Sequence, residues 1–137
     1  MKMSCFNAAK EEAAHSDYSG SANVGCVVYY KGALIARGHN SNKTSPVQAK
    51  FNTYRYKNCG NRYLPAKNHA EITALKKIRW LDIDFSKIEV YTYRELKNGK
   101  IAMSRPCPSC MAFIKQLGIR KIFYTTEDGF AEERLAY

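Results

Sequence analysis

Two short stretches decide how this chain folds. One is His69-Ala70-Glu71, running into Ile72-Thr73-Ala74-Leu75; the other is Pro106-Cys107-Pro108-Ser109-Cys110, running into Met111-Ala112-Phe113-Ile114. After His69, Ile72, Leu75 and Ile78 recur at helical spacing and predict a helix over 69–79, capped by Asn68 or the residues just before it. After Cys107, the apolar side Met111, Ile114 and Leu117 predicts a helix over 107–117, with Pro106 at its entrance and Gly118 ending it. Both helix starts carry metal-ligating groups. Cysteines three apart at a helix N-terminus bring both sulfurs to one ion, and the partial positive charge there favours the thiolate. His69 points out of its own helix end, and Glu71 follows within one turn. A catalytic zinc takes three protein ligands and leaves its fourth position to water. His69, Cys107 and Cys110 supply the three, and Glu71 would stand beside the fourth.

Working outward, the segment 24–30, Val24-Gly25-Cys26-Val27-Val28-Tyr29-Tyr30, has the content of a buried strand. Lys31-Gly32 turns it back through a second strand over 33–38. A third strand covers 88–93, Asn98-Gly99 signals a hairpin returning through 101–104, and a further strand covers 119–125. Helices are expected over 5–15, with Phe6, Ala9, Ala13 and Ala14 available inward, and over 130–135 at the end. The stretch 39–68 is too long for an ordinary connection, so it is functional or holds a short helix. The order helix, strand, strand, helix, strand, helix, strand describes a three-layer α/β/α sandwich with a mixed central sheet.

The 137 residues suit one domain, 1–137, and 45% hydrophobic content argues against disorder. No apolar run approaches the roughly 20 residues of a membrane helix. The polar segment 1–14 lacks a secretory signal's apolar centre, so a cytoplasmic protein without membrane partners is expected. In a reducing compartment, Cys107 and Cys110 read as metal-binding or redox groups rather than a structural disulfide. A redox site would not need the upstream His69-Ala70-Glu71. Of the other cysteines, Cys26 reads as a small buried hydrophobe, and Cys59 as a fourth thiolate would close the site to water. Lys and Arg total 22 against 12 acidic residues, a net charge of +10 that favours phosphorylated or polyanionic partners.

His-x-Glu followed by Pro-Cys-x-x-Cys is the signature of zinc deaminases. Through His69-Ala70-Glu71 and Pro106 to Cys110, the chain resembles the cytidine and deoxycytidylate deaminase superfamily. The likeness extends from the 24–30 strand to Thr125. It implies a cytidine-deaminase-like fold, a Zn2+ cofactor and a homo-oligomer. It also implies hydrolysis in which zinc lowers the pKa of a water while Glu71 moves the protons. Gly38-His39-Asn40 matches the place of a family Asn that contacts the sugar hydroxyl, although Asn40 also reads as a turn residue. The Ala70 amide would approach the base, and Tyr124 matches an aromatic near it, although Tyr124 could equally be core. His39 is read at the pocket mouth and His15 on a helix surface.

Two departures stand out. Arg105 precedes Pro106 where relatives usually have Ser or Glu, which places a cation near the pocket, for a phosphate or for the surface. The stretch 94–104 forms an extended hairpin that would support an oligomer contact or roof the site. The segment 50–67 interleaves Phe51, Tyr54, Tyr56 and Tyr63 with Lys50, Arg55, Lys57, Arg62 and Lys67, as single-strand binders do. The leading expectation is a deaminase of a free cytosine nucleotide or nucleoside. The alternative is a polynucleotide deaminase acting on cytosine or adenine in single-stranded nucleic acid. A catalytically silent zinc module for assembly is remote, because Glu71 is intact.

Overall fold

The computed structural model describes residues 2–20, 22–52 and 67–136. Most of the aromatic-basic segment 50–67, with Arg55, Lys57, Cys59 and Arg62, lies outside the described residues. The described elements, in chain order, begin with α1 (Met3–Ala13), β1 (Ala22–Tyr30), β2 (Ala33–His39), α2 (Pro46–Phe51) and α3 (Ala70–Leu75). A 3-10 turn at Phe85–Lys87 leads into β3 (Ile88–Leu96), β4 (Ile101–Ala102), α4 (Pro108–Leu117), β5 (Lys121–Thr126) and β6 (Gly129–Arg134).

The sheet runs β2-β1-β3-β5-β6, and β4 also pairs with β3. β3 and β5 are parallel and the other pairings antiparallel, so the sheet is mixed as expected. Strand alternation sorts the core into two layers. Cys26 and Val28 of β1, Ile88 and Val90 of β3 and Ile122 of β5 face one side, against Ile72 and Leu75 of α3 and Phe113 and Ile114 of α4. Val27, Tyr91, Tyr93 and Phe123 face the other, where Cys5, Phe6, Ala9 and Ala13 of α1 cover them. Tyr91 stacks on Phe123 at 4.3 Å, and Phe6 meets the Tyr91 ring edge-on at 5.0 Å.

Close approach of α3 to β2 rests on one glycine. A Cβ on Gly38 would lie 2.6 Å from the Ala74 nitrogen and 2.8 Å from the Ala70 oxygen. Both are backbone atoms of α3, so a side chain there would push the ligand-bearing helix off the sheet.

β4 continues the edge of β3 beyond the point where β5 leaves it, and buried hydroxyls close the seam. Thr125 N donates to Ser104 Oγ at 2.7 Å, Ser104 Oγ donates to the Thr92 carbonyl at 3.0 Å, and Thr125 Oγ1 donates to the Ala102 carbonyl at 2.7 Å. The hairpin at Asn98-Gly99 forms as expected, with Gly99 at φ +88°. Gly118 ends α4 in the left-handed conformation at φ +88°.

Two local expectations need correction. The terminal helix over 130–135 is instead strand β6, paired with β5 from Thr126↔Gly129 to Lys121↔Arg134. Asp128-Gly129 is a hairpin signal, and the open edge of β5 outweighs the helical propensity of Ala131-Glu132-Glu133. Glu132, Glu133 and Arg134 leave the new edge charged, which discourages further pairing. The α-helix after His69 stops at Leu75; the chain then tightens into three-residue turns, with Ile78 N bonding Leu75 O and Leu81 N bonding Ile78 O. Ile78 stays buried. The short helix anticipated within 39–68 is α2, capped by the Ser45 hydroxyl with Pro46 in its first turn.

Candidate active site

His69 and Cys107 are the N-caps of α3 and α4. Each takes an extended backbone conformation, at φ −89° and −67°, which turns its side chain out of the helix end. The two helix starts converge, and Cys110, one turn into α4, completes the group. His69 Nδ1 lies 3.4 Å from Cys107 Sγ and 3.4 Å from Cys110 Sγ. All three ligand atoms fall within 4.8 Å of one another. Zinc bonds of about 2.3 Å to sulfur and 2.0–2.1 Å to nitrogen, at the tetrahedral angle, put N and S about 3.6 Å apart. One nitrogen and two sulfurs at these separations fit a zinc ion.

Glu71 is buried beside this group at 6% exposure. Burial raises its pKa, the neighbouring Cys107 adds to that, and His69 opposes it. The cysteines divide. The Cys107 thiol is drawn down to about 3, chiefly by its hydrogen bond with Cys110 and then by His69 and Ser109. Burial pushes Cys110 up. Helix start and hydrogen-bond donors thus prepare one sulfur as the thiolate that metal binding requires.

The expected cap on α3 is not Asn68. The His69 N–H donates to Gln48 Oε1 at 3.1 Å, and Gln48, fully buried in α2, donates onward to Asn52 Oδ1 at 2.9 Å. A side chain from the preceding helix therefore holds the backbone of His69. Asn68 stands in the cleft wall with its Oδ1 buried and unpaired.

The cleft over the group measures about 370 Å³. Asn40, Ala70 and Arg105 line it with His69, Glu71 and Cys107. Asn40 is held on three sides: its Oδ1 accepts from Val24 N at 2.9 Å, its Nδ2 donates to Ala22 O at 3.0 Å, and Ser16 Oγ lies 2.6 Å from Oδ1. That fixes which way its amide points. Arg105 is ion-paired in a fork, Nε to Glu133 Oε1 at 2.8 Å and Nη2 to Oε2 at 3.0 Å. Glu133 also accepts from the Tyr124 hydroxyl at 3.2 Å. Tyr124 thus sits behind Arg105, partly buried on the core, and outside the described cleft lining. His39 is likewise outside it. Gly38 faces α3, so strand alternation turns His39 toward α1, where its Nδ1 meets Glu12 at 2.6 Å. His15 is exposed, as expected.

Two lining residues escaped sequence reasoning, Arg94 and Tyr18; Lys67, read as the last cation of the 50–67 segment, also lines the cleft. Arg94 lies in the part of β3 beyond the β5 pairing, and its Nη1 donates to the Met103 carbonyl at 3.3 Å. No local motif marks it; the only signal was its place at the hairpin neck. Arg94, Met103, Ser104 and Arg105 all line the cleft, so the extended hairpin walls the site. Among the described lining residues there are three cations, Lys67, Arg94 and Arg105, and a single carboxylate, Glu71.

This fold and His/Cys/Cys group coincide with a match to a family model. The chain belongs to the family described as the cytidine and deoxycytidylate deaminase zinc-binding region, matched over residues 2–126. Membership supports a hydrolytic deaminase of cytosine compounds with zinc as cofactor. Similar solved structures include dCMP deaminase from the cyanophage S-TIM5 in apo form, at 21% identity and TM-score 0.61, covering 92% of this chain and 86% of that one. The same phage enzyme in complex with dCMP and dUMP matches at 20% identity and TM-score 0.61, over 92% and 84% of the two chains. Cytidine deaminase from Burkholderia pseudomallei matches at 17% identity and TM-score 0.64, over 98% and 92%. These likenesses speak for the fold. No curated protein matches the chain significantly. Among the described residues, no helix is long and apolar enough to cross a membrane.

Proposed function

We propose that the protein is a hydrolytic deaminase of a free cytosine nucleotide or nucleoside. The observation that carries this reading is a buried carboxylate, Glu71, beside a zinc-fitting His69, Cys107 and Cys110 on the floor of one cleft. When bound, zinc supplies Lewis-acid activation of a water. Glu71 then moves the protons. It takes one from the attacking water, gives it to the ring nitrogen as the new C–O bond forms, and delivers a proton to the amine as the C–N bond breaks and ammonia leaves. Burial raises the pKa of this carboxyl, which moves it toward the range where one group can both accept and return a proton. The Ala70 backbone amide, at the first residue of α3, donates toward the base. Asn40 meets the sugar with the amide N–H that Ala22 leaves over.

The excess of cations in the wall supports a phosphorylated substrate over a neutral nucleoside. It also keeps the polynucleotide reading as the alternative. A substrate panel read by ammonia release tests both. We expect turnover of a cytosine mononucleotide exceeding that of the nucleoside. Conversion of cytosine in single-stranded oligonucleotides, with no turnover of free nucleotides or nucleosides, would overturn the choice and favour the polynucleotide reading.

A further inference from the structure

The cleft uses the N-terminal ends of α3 and α4. Near their other ends lies a second concavity of about 300 Å³, whose walls include Lys50, Phe51, Arg79, Trp80, Phe113 and Leu117. Along α4, its wall residues Phe113 and Leu117 follow Cys110 by about 5 and 10 Å of helix rise. Trp80 is the chain's single tryptophan and is 79% exposed. The Arg79 guanidinium lies 4.5 Å from the centre of its ring. Behind them Phe51 and Phe113 stack at 4.8 Å, with Lys50 Nζ 5.5 Å from the Phe51 ring. No carboxylate lines the concavity among the described residues.

Flat aromatic surface with cations and no acid suits a ligand that is both planar and anionic. A second protein is a poorer fit. The large apolar side chains exposed along this turn are Trp80 and, at 46%, Leu81, whereas a stable interface needs about 800 Å² per partner. One open indole is enough for one base. The net charge of +10 favours a polyanion over a neutral ring. We propose that this groove docks single-stranded nucleic acid, with a base stacked on Trp80 and neighbouring phosphates at Arg79 and Lys50. A strand held there is docked away from the reacting centre, so the site is a binding surface rather than part of the cleft.

Because Trp80 is the only tryptophan, emission excited beyond the tyrosine absorption band reports on this site alone. The probe is a short oligothymidine, which has no exocyclic amine to hydrolyse, so the result is independent of the proposed deamination. Titrated into the zinc-loaded protein at low salt, it should quench the emission. The log-log salt slope should be about −0.7 for each phosphate neutralised, and Arg79→Gln should make it shallower by about that amount. With fluorescein-labelled oligothymidine followed by anisotropy, Trp80→Ala should bind at least about fivefold more weakly, with Trp80→Phe intermediate. Circular dichroism checks that the variants fold. Absence of quenching, or unchanged binding in both Trp80→Ala and Arg79→Gln, would overturn the proposal. So would thymidine monophosphate quenching as strongly at equal nucleotide concentration, which would make this a mononucleotide site. If Trp80→Ala instead dissociates an oligomer in sedimentation, the face belongs to a second copy and the proposal fails.

Discussion

The floor of the cleft and its rim are assembled by different means. On the floor, His69, Glu71, Cys107 and Cys110 all lie within one turn of a helix start, and the convergence of two helix ends brings them together. On the rim, Arg105 to Glu133 and Asn40 to Ser16 and Ala22 join residues 28, 24 and 18 positions apart, and Arg94 to Met103 crosses the neck of a hairpin. The His/Cys/Cys group and Glu71 are held by short spacings, while the walls around them are set by strand pairing and side-chain partnership. Arg94 and Arg105 make the point within the rim itself. Both line the cleft, yet Arg105 is matched by a carboxylate in a two-bond fork, whereas Arg94 bonds a carbonyl and has no carboxylate partner among the described residues.

Removing a floor residue should have the largest effect. Cys107→Ala or His69→Ala should abolish both bound zinc and turnover, as measured by elemental analysis and ammonia release, because two ligands cannot complete a tetrahedral site. Full activity in a thoroughly metal-free preparation would break the contrast at its root. Glu71→Gln comes next. It should keep the metal and lose roughly 10²–10⁴-fold in kcat, the range typical of acid–base groups. Loss of zinc on this substitution would make Glu71 a ligand rather than a proton carrier.

Gln48→Ala sharpens the comparison, since it removes the long-range support beneath the floor. Leaving the His69 N–H without its buried partner should cost about 1–3 kcal/mol of stability, seen as a lower midpoint in chemical denaturation. Zinc content after purification should remain near that of the unaltered chain. The smallest effect belongs to the rim. Arg94→Gln should lower the ratio of kcat/KM for nucleotide over nucleoside severalfold. Arg105→Gln should change that ratio less, because Glu133 already occupies its guanidinium. Equal effects of the two substitutions would dissolve the distinction drawn between them.

Much of this was legible in the residues. Helical spacing after His69 and after Cys107, β-branched runs at 24–30 and 88–93, and turns at Lys31-Gly32, Asn98-Gly99 and Gly118 are local signals, and the structure follows them. The ligand group was readable for the same reason: each half depends on a few consecutive residues at a helix start. Other features were not readable. Ala131-Glu132-Glu133 carries helical propensity but lies beside an unfilled sheet edge, so pairing decides its state. Asn68 looked like a cap, but Gln48 reaches the same backbone from another helix. His39 looked like a pocket residue, but the close packing of Gly38 on α3 turns it toward Glu12.

By itself, then, the amino-acid sequence determined the main helices and strands as far as β5, the residues that gather on the floor and the sign of the net charge. These depend on propensity, periodicity and composition, which are properties of neighbours in the chain. Only the tertiary structure decided which cations face the cleft, which of them is already paired, that the 94–104 hairpin walls the site, and that a lone tryptophan stays open at the far end of the helices. Those outcomes turn on distances between residues tens of positions apart. Such distances come into existence only when the sheet closes and the helices pack onto it.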